Sequence, residues 1–260
     1  MESPRASKIT KAYHLLFNYP LDKEELEKWQ AGNKSEIRNP KYETISKKIN
    51  SQTKKKRRAT SLKKLKIARR AAKVLETIPT IKMIAVTGSL AMLNAREESD
   101  IDLMIITAKD TLWTTRIIAS LLLTVSELRL RRAGDKDEKD KLCLNIWLDE
   151  GDLKWRKKNI FTAHEICQIV PLVNKNKIYE KFLWENNWVL DYWPKAVEIK
   201  RLNIKNQNDK SKFKIIEKLV FWIQYQYMKP KITRETVTPS RALFHPIDWS
   251  ARLEKELGRD

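Results

Sequence analysis

The stretch "VTGSLAMLNAREESDIDLMIIT", Val86 to Thr107, constrains the fold more than any other part of the chain. It holds a glycine-serine pair, Gly88 and Ser89, and then two aspartates one residue apart, Asp100 and Asp102, at the head of an apolar run. Side chains alternate faces along a strand, so the two carboxylates point the same way, with Cα atoms about 6.5–7 Å apart. Two like charges on one sheet face repel, and burying them is costly unless water or a cation reaches them. Magnesium, which prefers oxygen ligands and binds phosphate, is the natural cation, with Mn2+ as the alternative. Gly88 lets backbone approach a phosphate closely, and Ser89 at a helix start offers a hydroxyl and backbone N–H groups.

The surroundings support strands at both ends of this stretch. "IKMIAV" precedes it as one strand, "GSLAMLNA" turns into a short helix, and "DIDLMIIT" is the next strand. "TLWTTRIIASLLLTVSELRLRRAG" has helical length and spacing from Thr111 to near Gly134, and "LCLNIWL" reads as a third, buried strand. Strand, helix, strand, helix, strand points to an α/β or α+β core. After it, "TAHE" at Thr162–Glu165 predicts a capping box and "KIYEKFLWENNWVLDYW" a helix running to Pro194. "KFKIIEKLVFWIQYQYM" predicts another helix, and Asp248 a cap for "WSARLEKELG". Trp184, Trp188, Tyr192 and Trp193 read as core rather than as a base-stacking platform. Residues 9–30 predict two short helices broken at Tyr19-Pro20, the second capped by Asp22, with Leu21, Leu26 and Trp29 on its buried side.

Charge narrows the partners. Lysine and arginine number 53 against 33 aspartates and glutamates, a net +20 that implies polyanionic contacts. Thirteen of the basic residues fall between Lys47 and Lys73 without one Asp or Glu, and "QTKKKRRATS" at their centre reads as an exposed basic loop. Lys54–Arg58 is therefore a candidate nucleic-acid contact. From Ser61 onward Leu62, Leu65, Ala68, Ala72 and Leu75 recur at helical spacing until Pro79. The two cysteines sit in apolar segments, which argues against a disulfide framework and for a reducing, cytoplasmic setting. The longest near-apolar run, Ile117 to Val125, is too short to span a bilayer, so no membrane contact is expected.

Val86-Thr87-Gly88-Ser89 followed by Ser99-Asp100-Ile101-Asp102-Leu103, in this strand-turn-helix-strand setting, resembles the nucleotidyltransferase superfamily of the DNA polymerase beta type. That superfamily's pattern is a hydrophobic residue, Gly-Ser or Gly-Gly, roughly ten residues, then Asp-hydrophobic-Asp. The resemblance covers residues 80–150 and implies an α+β fold: a small mixed sheet flanked by helices, with a helical C-terminal lobe. It implies transfer of a nucleoside monophosphate from a nucleoside triphosphate (NTP) to a small-molecule, RNA or protein acceptor, with pyrophosphate leaving. Asp100 and Asp102 would be the catalytic metal ligands and Gly88 and Ser89 the nucleotide contacts, joined by Arg116 from the following helix. Where such enzymes often carry a third carboxylate, this chain has Asn145, a neutral metal ligand that cannot act as a base, with Asp149, Glu150 or Asp152 as substitutes. His245 is a base, a substrate contact or a packed turn histidine. If Asn145 has cost catalysis, the chain is instead a nucleotide- or RNA-binding module. The expected organisation is an N-terminal helical segment and basic loop over residues 1–60, a nucleotidyltransferase domain over 61–152 and a helical region over 153–260.

Overall fold

The computed structural model describes residues 4–32, 51–132, 134–201 and 214–244; His245 and Asp248 lie outside them. Three apolar segments form strands β1 (Ile81–Val86), β2 (Ile101–Thr107) and β3 (Leu142–Asp149), and three short strands join them: β4 (Val170–Asn174), β5 (Thr236–Thr238) and β6 (Arg241–Leu243). Together they make one six-stranded mixed sheet in the order β4-β1-β2-β3-β6-β5. All neighbours are antiparallel except β2 and β3, which run parallel and set Asp102 opposite Cys143.

Because strand side chains alternate, the sheet builds two cores. Met83, Ala85, Met104, Ile106 and Ile146 face one layer, made of α1 (Pro4–Leu16), α6 (Ile160–Cys167) and α7 (Ile178–Glu185), with α2 (Lys23–Lys28) set against α1. Ile84, Val86, Leu103, Ile105 and Trp147 face the other, made of α3 (Ser51–Leu75) and α5 (Leu112–Val125), with α8 (Lys214–Met228) packed on α5 through Trp113 and Phe221. A single turn of helix, α4 (Gly88–Ala91), follows β1. Among the described residues no helix is long and apolar enough to cross a membrane.

The two predicted N-terminal helices form, with Asp22 and Glu25 in a reciprocal capping box; Leu21 and Leu26 are only partly buried, and Trp29, just past the second helix, is buried against His164 at a ring separation of 4.1 Å. Trp193 and Tyr192 are core, as expected. Several local expectations are corrected. The segment read as an exposed basic loop is the first half of α3, which begins at Ser51. Its contacts are polar rather than apolar: Lys54 Nζ lies 2.6 Å from Glu25 and 3.2 Å from Asp22, and Arg57 donates to Asn18 O at 3.0 Å and Asn94 Oδ1 at 2.9 Å. Helix α5 stops at Val125, nine residues short of Gly134, because Glu127 adopts φ +59 and the Leu128 N–H turns back to Leu123 O. Thr111 sits at its start without capping it; Glu217 from α8 accepts the Trp113 and Thr114 N–H groups instead. The capping box of α6 is Asn159 with Thr162, not Thr162 with Glu165. Helix α7 breaks at buried Asn186, whose side chain accepts from Trp155 N and donates to Leu153 O and Phe182 O, and a 3-10 turn continues to Asp191. The C-terminal region contributes β4, β5 and β6 to the sheet besides its helices.

Candidate active site

The Thr87 N–H donates to Asp102 O at 3.1 Å, so the end of β1 is tied to the aspartates before the chain turns. Gly88 then takes φ +60, a left-handed conformation that favours glycine. A Cβ there would sit 2.6 Å from Asp102 Oδ2, so no side chain fits between the turn and the carboxylate. Ser89 is exposed on α4 beside it.

Asp100 and Asp102 are half-buried and share one face with Cys143; ligand atoms of the three lie within 4.8 Å of one another. Burial, and then the charges of Asp100 and Glu165, push the Asp102 carboxyl up to about 8. Near neutral pH Asp102 therefore favours its protonated form, and a cation bound between the two acids would displace that proton. Asn145 is buried and donates its Nδ2 to Asp102 Oδ1 at 2.6 Å, while its own Oδ1 has no hydrogen-bond partner. That aim comes from a bulge. Leu103 pairs with Leu144 and Met104 with Ile146, leaving Asn145 as the extra residue turned toward the aspartates. An oxygen-rich face with an orphaned amide oxygen at its edge fits a divalent ion.

A family model described as a nucleotidyltransferase domain matches residues 68–221, more than half of the chain. The chain belongs to the nucleotidyltransferase domain family. No curated protein matches it in sequence. One solved structure, a mutant of the toxin-antitoxin MntA-HpeT, is similar at 14% identity and covers 50% of this chain and 83% of that one, with a TM-score of 0.27. A likeness that slight says nothing about substrate or partner.

Gly88, Ser89, Asp100, Asp102 and Asn145 come together, whereas Arg116 stands apart from them. Arg116 projects from α5, whose buried residues pack on the opposite face of the sheet. It donates to Gln224 of α8 at 2.7 Å and lies over the Phe244 ring at 5.0 Å. The substitute carboxylates do not reach the site either. Asp149 pairs with Thr107 at the far end of β2, about 16 Å of strand from Asp102. It accepts from Asp110 N and Gly151 N, Glu150 accepts from Lys109 N, and Asp152 is paired with Arg241 at 2.7 Å.

Three neighbours of the site were not read from the sequence. Arg131 donates to Asp100 Oδ2 at 2.7 Å and also pairs with Glu138, so a guanidinium balances one carboxylate. Cys143 lies opposite Asp102, and burial pushes its thiol well above the usual range. Glu165 on α6 is close enough for its charge to raise Asp102, and burial pushes its own acid up to about 7. The β3 alternation could have flagged Cys143, which shares its parity with Asn145; no local signal marks Arg131 or Glu165. Buried Lys64 supports the loop before β2, donating to Glu97 O at 3.0 Å, Ser99 O at 2.8 Å and Asp140 Oδ1 at 2.6 Å.

Proposed function

We propose that the chain transfers a nucleoside monophosphate from a metal-bound NTP to an acceptor at the Gly88–Asp102 site. The observation that carries this reading is the close approach of Gly88 to Asp102: a phosphate-accepting turn abuts two carboxylates that face the same way. Asp100 and Asp102 would hold the ion, Mg2+ by their hardness with Mn2+ as substitute, and the orphaned Oδ1 of Asn145 would be the third oxygen donor. The chemistry a divalent cation supplies when bound there is neutralisation of the triphosphate and of charge developing on the leaving pyrophosphate. The Gly88 turn packs directly on Asp102, and the exposed Ser89 hydroxyl beside it would meet the phosphate. Arg131 keeps Asp100 balanced before the ion arrives. The acceptor, whether small molecule, RNA or protein, is left open.

The test incubates the full chain with Mg2+ and NTPs labelled at the α-phosphate, with Asp100→Ala/Asp102→Ala as control. Labelled product and pyrophosphate that vanish in the control support the reading. Equal signals, or none across a broad acceptor panel, count against it.

A second reading, an RNA-binding module, is favoured by the exposed face of α3. There Lys55, Lys56, Lys63, Lys66, Arg69 and Arg70 stand in solvent, and the helix has no carboxylate. Lys54 and Arg57, by contrast, are spent on internal contacts. This reading expects salt-dependent RNA affinity that persists without both aspartates and falls when Lys55, Lys56 and Lys63 are reversed to Glu.

A further inference from the structure

Helix α8 is apolar on two sides, and the described residues cover only one of them. Its inner side, with Val220, Phe221 and Met228, packs into the core beside α5, where Gln224 donates to Trp113 O at 2.9 Å. At about 100° per residue, Ile215, Ile216, Leu219, Trp222, Ile223 and Tyr227 fall within a sector about 140° wide on the other side, broken by Gln226 alone. All six are 55–83% exposed, and four more, from Ile117 to Val125, line the outer face of α5. These ten are all but two of the large apolar side chains exposed among the described residues, so the surface is concentrated rather than scattered. It amounts to on the order of 1,000 Å² of apolar area, above the ~300–600 Å² of the largest patch on a typical monomer. It also matches the ~800 Å² that each partner contributes to a stable interface. A helix apolar all round belongs in a core, and among the described residues nothing covers this side of α8.

The charge around this face decides what kind of molecule covers it. The only carboxylate on α5 and α8 is Glu217, which is buried and bonded to the start of α5. The exposed charges at the two ends of α8 are Lys214, Lys218, Lys229 and Lys231. A second copy would bring its own lysines against these, on a chain that already carries +20. A partner whose apolar stripe is bordered by Asp and Glu meets both the area and the charge. We infer that the α5–α8 face is the docking surface for another protein, which presents an apolar helical stripe flanked by acidic residues. The inference is independent of the nucleotidyl-transfer reading, since α5 and α8 lie across the sheet from Asp102.

The probe is a pair of synthetic helical peptides of about 20 residues with the same Leu/Ile stripe, one flanked by Glu and the other by Lys, each followed by fluorescence anisotropy. The full chain is expected to bind the Glu-flanked peptide at least ~10-fold more tightly than the Lys-flanked one, and less tightly as salt rises. Leu219→Glu and Ile223→Glu, both at exposed positions, are expected to keep the melting temperature of the parent and lose at least ~10-fold in affinity. Failure to bind either peptide, or equal binding of both, overturns the proposal. So does a dimer in sedimentation velocity that Ile223→Glu dissociates, which assigns the face to a second copy. Binding to phosphatidylglycerol vesicles but to neither peptide, lost in Ile223→Glu, overturns it in favour of a lipid surface.

Discussion

Gly88 is held to glycine by two independent constraints, its φ of +60 and the Asp102 carboxylate 2.6 Å from where a Cβ would stand. Gly88→Ala should destabilise the fold by about 1–2 kcal/mol from the backbone alone and push Asp102 off its position. Adding Asp102→Ala should relieve the clash but not the backbone cost, so a double-mutant cycle in urea separates the two. Asp102 shows the reverse trade. Its half-buried carboxyl faces Asp100 and ionises only above about pH 8, so above that pH Asp102→Asn should raise the metal-free melting temperature by a few degrees, on the order of 1 kcal/mol, while lowering nucleotidyl transfer by at least ~10²-fold. A variant less stable than the parent above pH 8 without metal contradicts a repulsion between the two aspartates. Gly88, Ser89, Asp100 and Asp102 were legible in the sequence because a turn and a two-residue strand period are local properties. Arg131, Cys143 and Glu165 were not, because they reach the aspartates through strand register and helix packing across long sequence separations.

At the scale of elements, α3 explains why a charge run is an unreliable sign of a loop. Its first half has no apolar period, yet Lys and Arg are good helix formers, and Asp22, Glu25 and Asn94 supply partners that no local window reveals. One lysine of this helix acts at the site's edge. Lys64 holds the 97–99 loop that delivers Asp100 to β2, and its side chain is 2% exposed. Lys64→Met should cost about 2 kcal/mol or more in urea denaturation by leaving two carbonyls without their charged donor. It should also weaken metal affinity without touching any ligand; unchanged affinity contradicts a positioning role. The β3 bulge was equally invisible: alternation alone puts Asn145 on the correct face, but only the slip between Leu144 and Ile146 brings it to Asp102.

On the scale of the whole molecule, the strand-helix-strand order through residue 149 followed from hydrophobic periodicity, whereas the two cores on opposite faces of the sheet emerge only from the fold. The hairpin of β5 and β6 that extends the sheet beyond β3 did not follow from periodicity either, because these strands are three residues each and carry no period of their own. The N-terminal helices are joined to the sheet layer through a buried histidine pair, His14 Nε2 and His164 Nε2, 3.1 Å apart. Burial lowers His14 to about 4 and His164 well below the usual range, whereas both titrate near 6.5 once unfolded. Between those limits the unfolded chain binds more protons than the folded one, so stability is complete above pH ~6.5 and falls as pH drops toward 4. His14 alone should contribute roughly 3 kcal/mol to that loss, read from urea midpoints across the window, and His14→Gln should flatten the slope. The account as a whole stands on the carboxylate face and the glycine turn acting as one site. A crystal soaked with Mg2+ and a nonhydrolysable triphosphate tests it most directly. The prediction is an ion about 2.0–2.1 Å from oxygens of Asp100 and Asp102, with phosphates over Gly88 and Ser89. Nucleotide bound elsewhere, or phosphates at Gly88 with no ion on either aspartate, would contradict it.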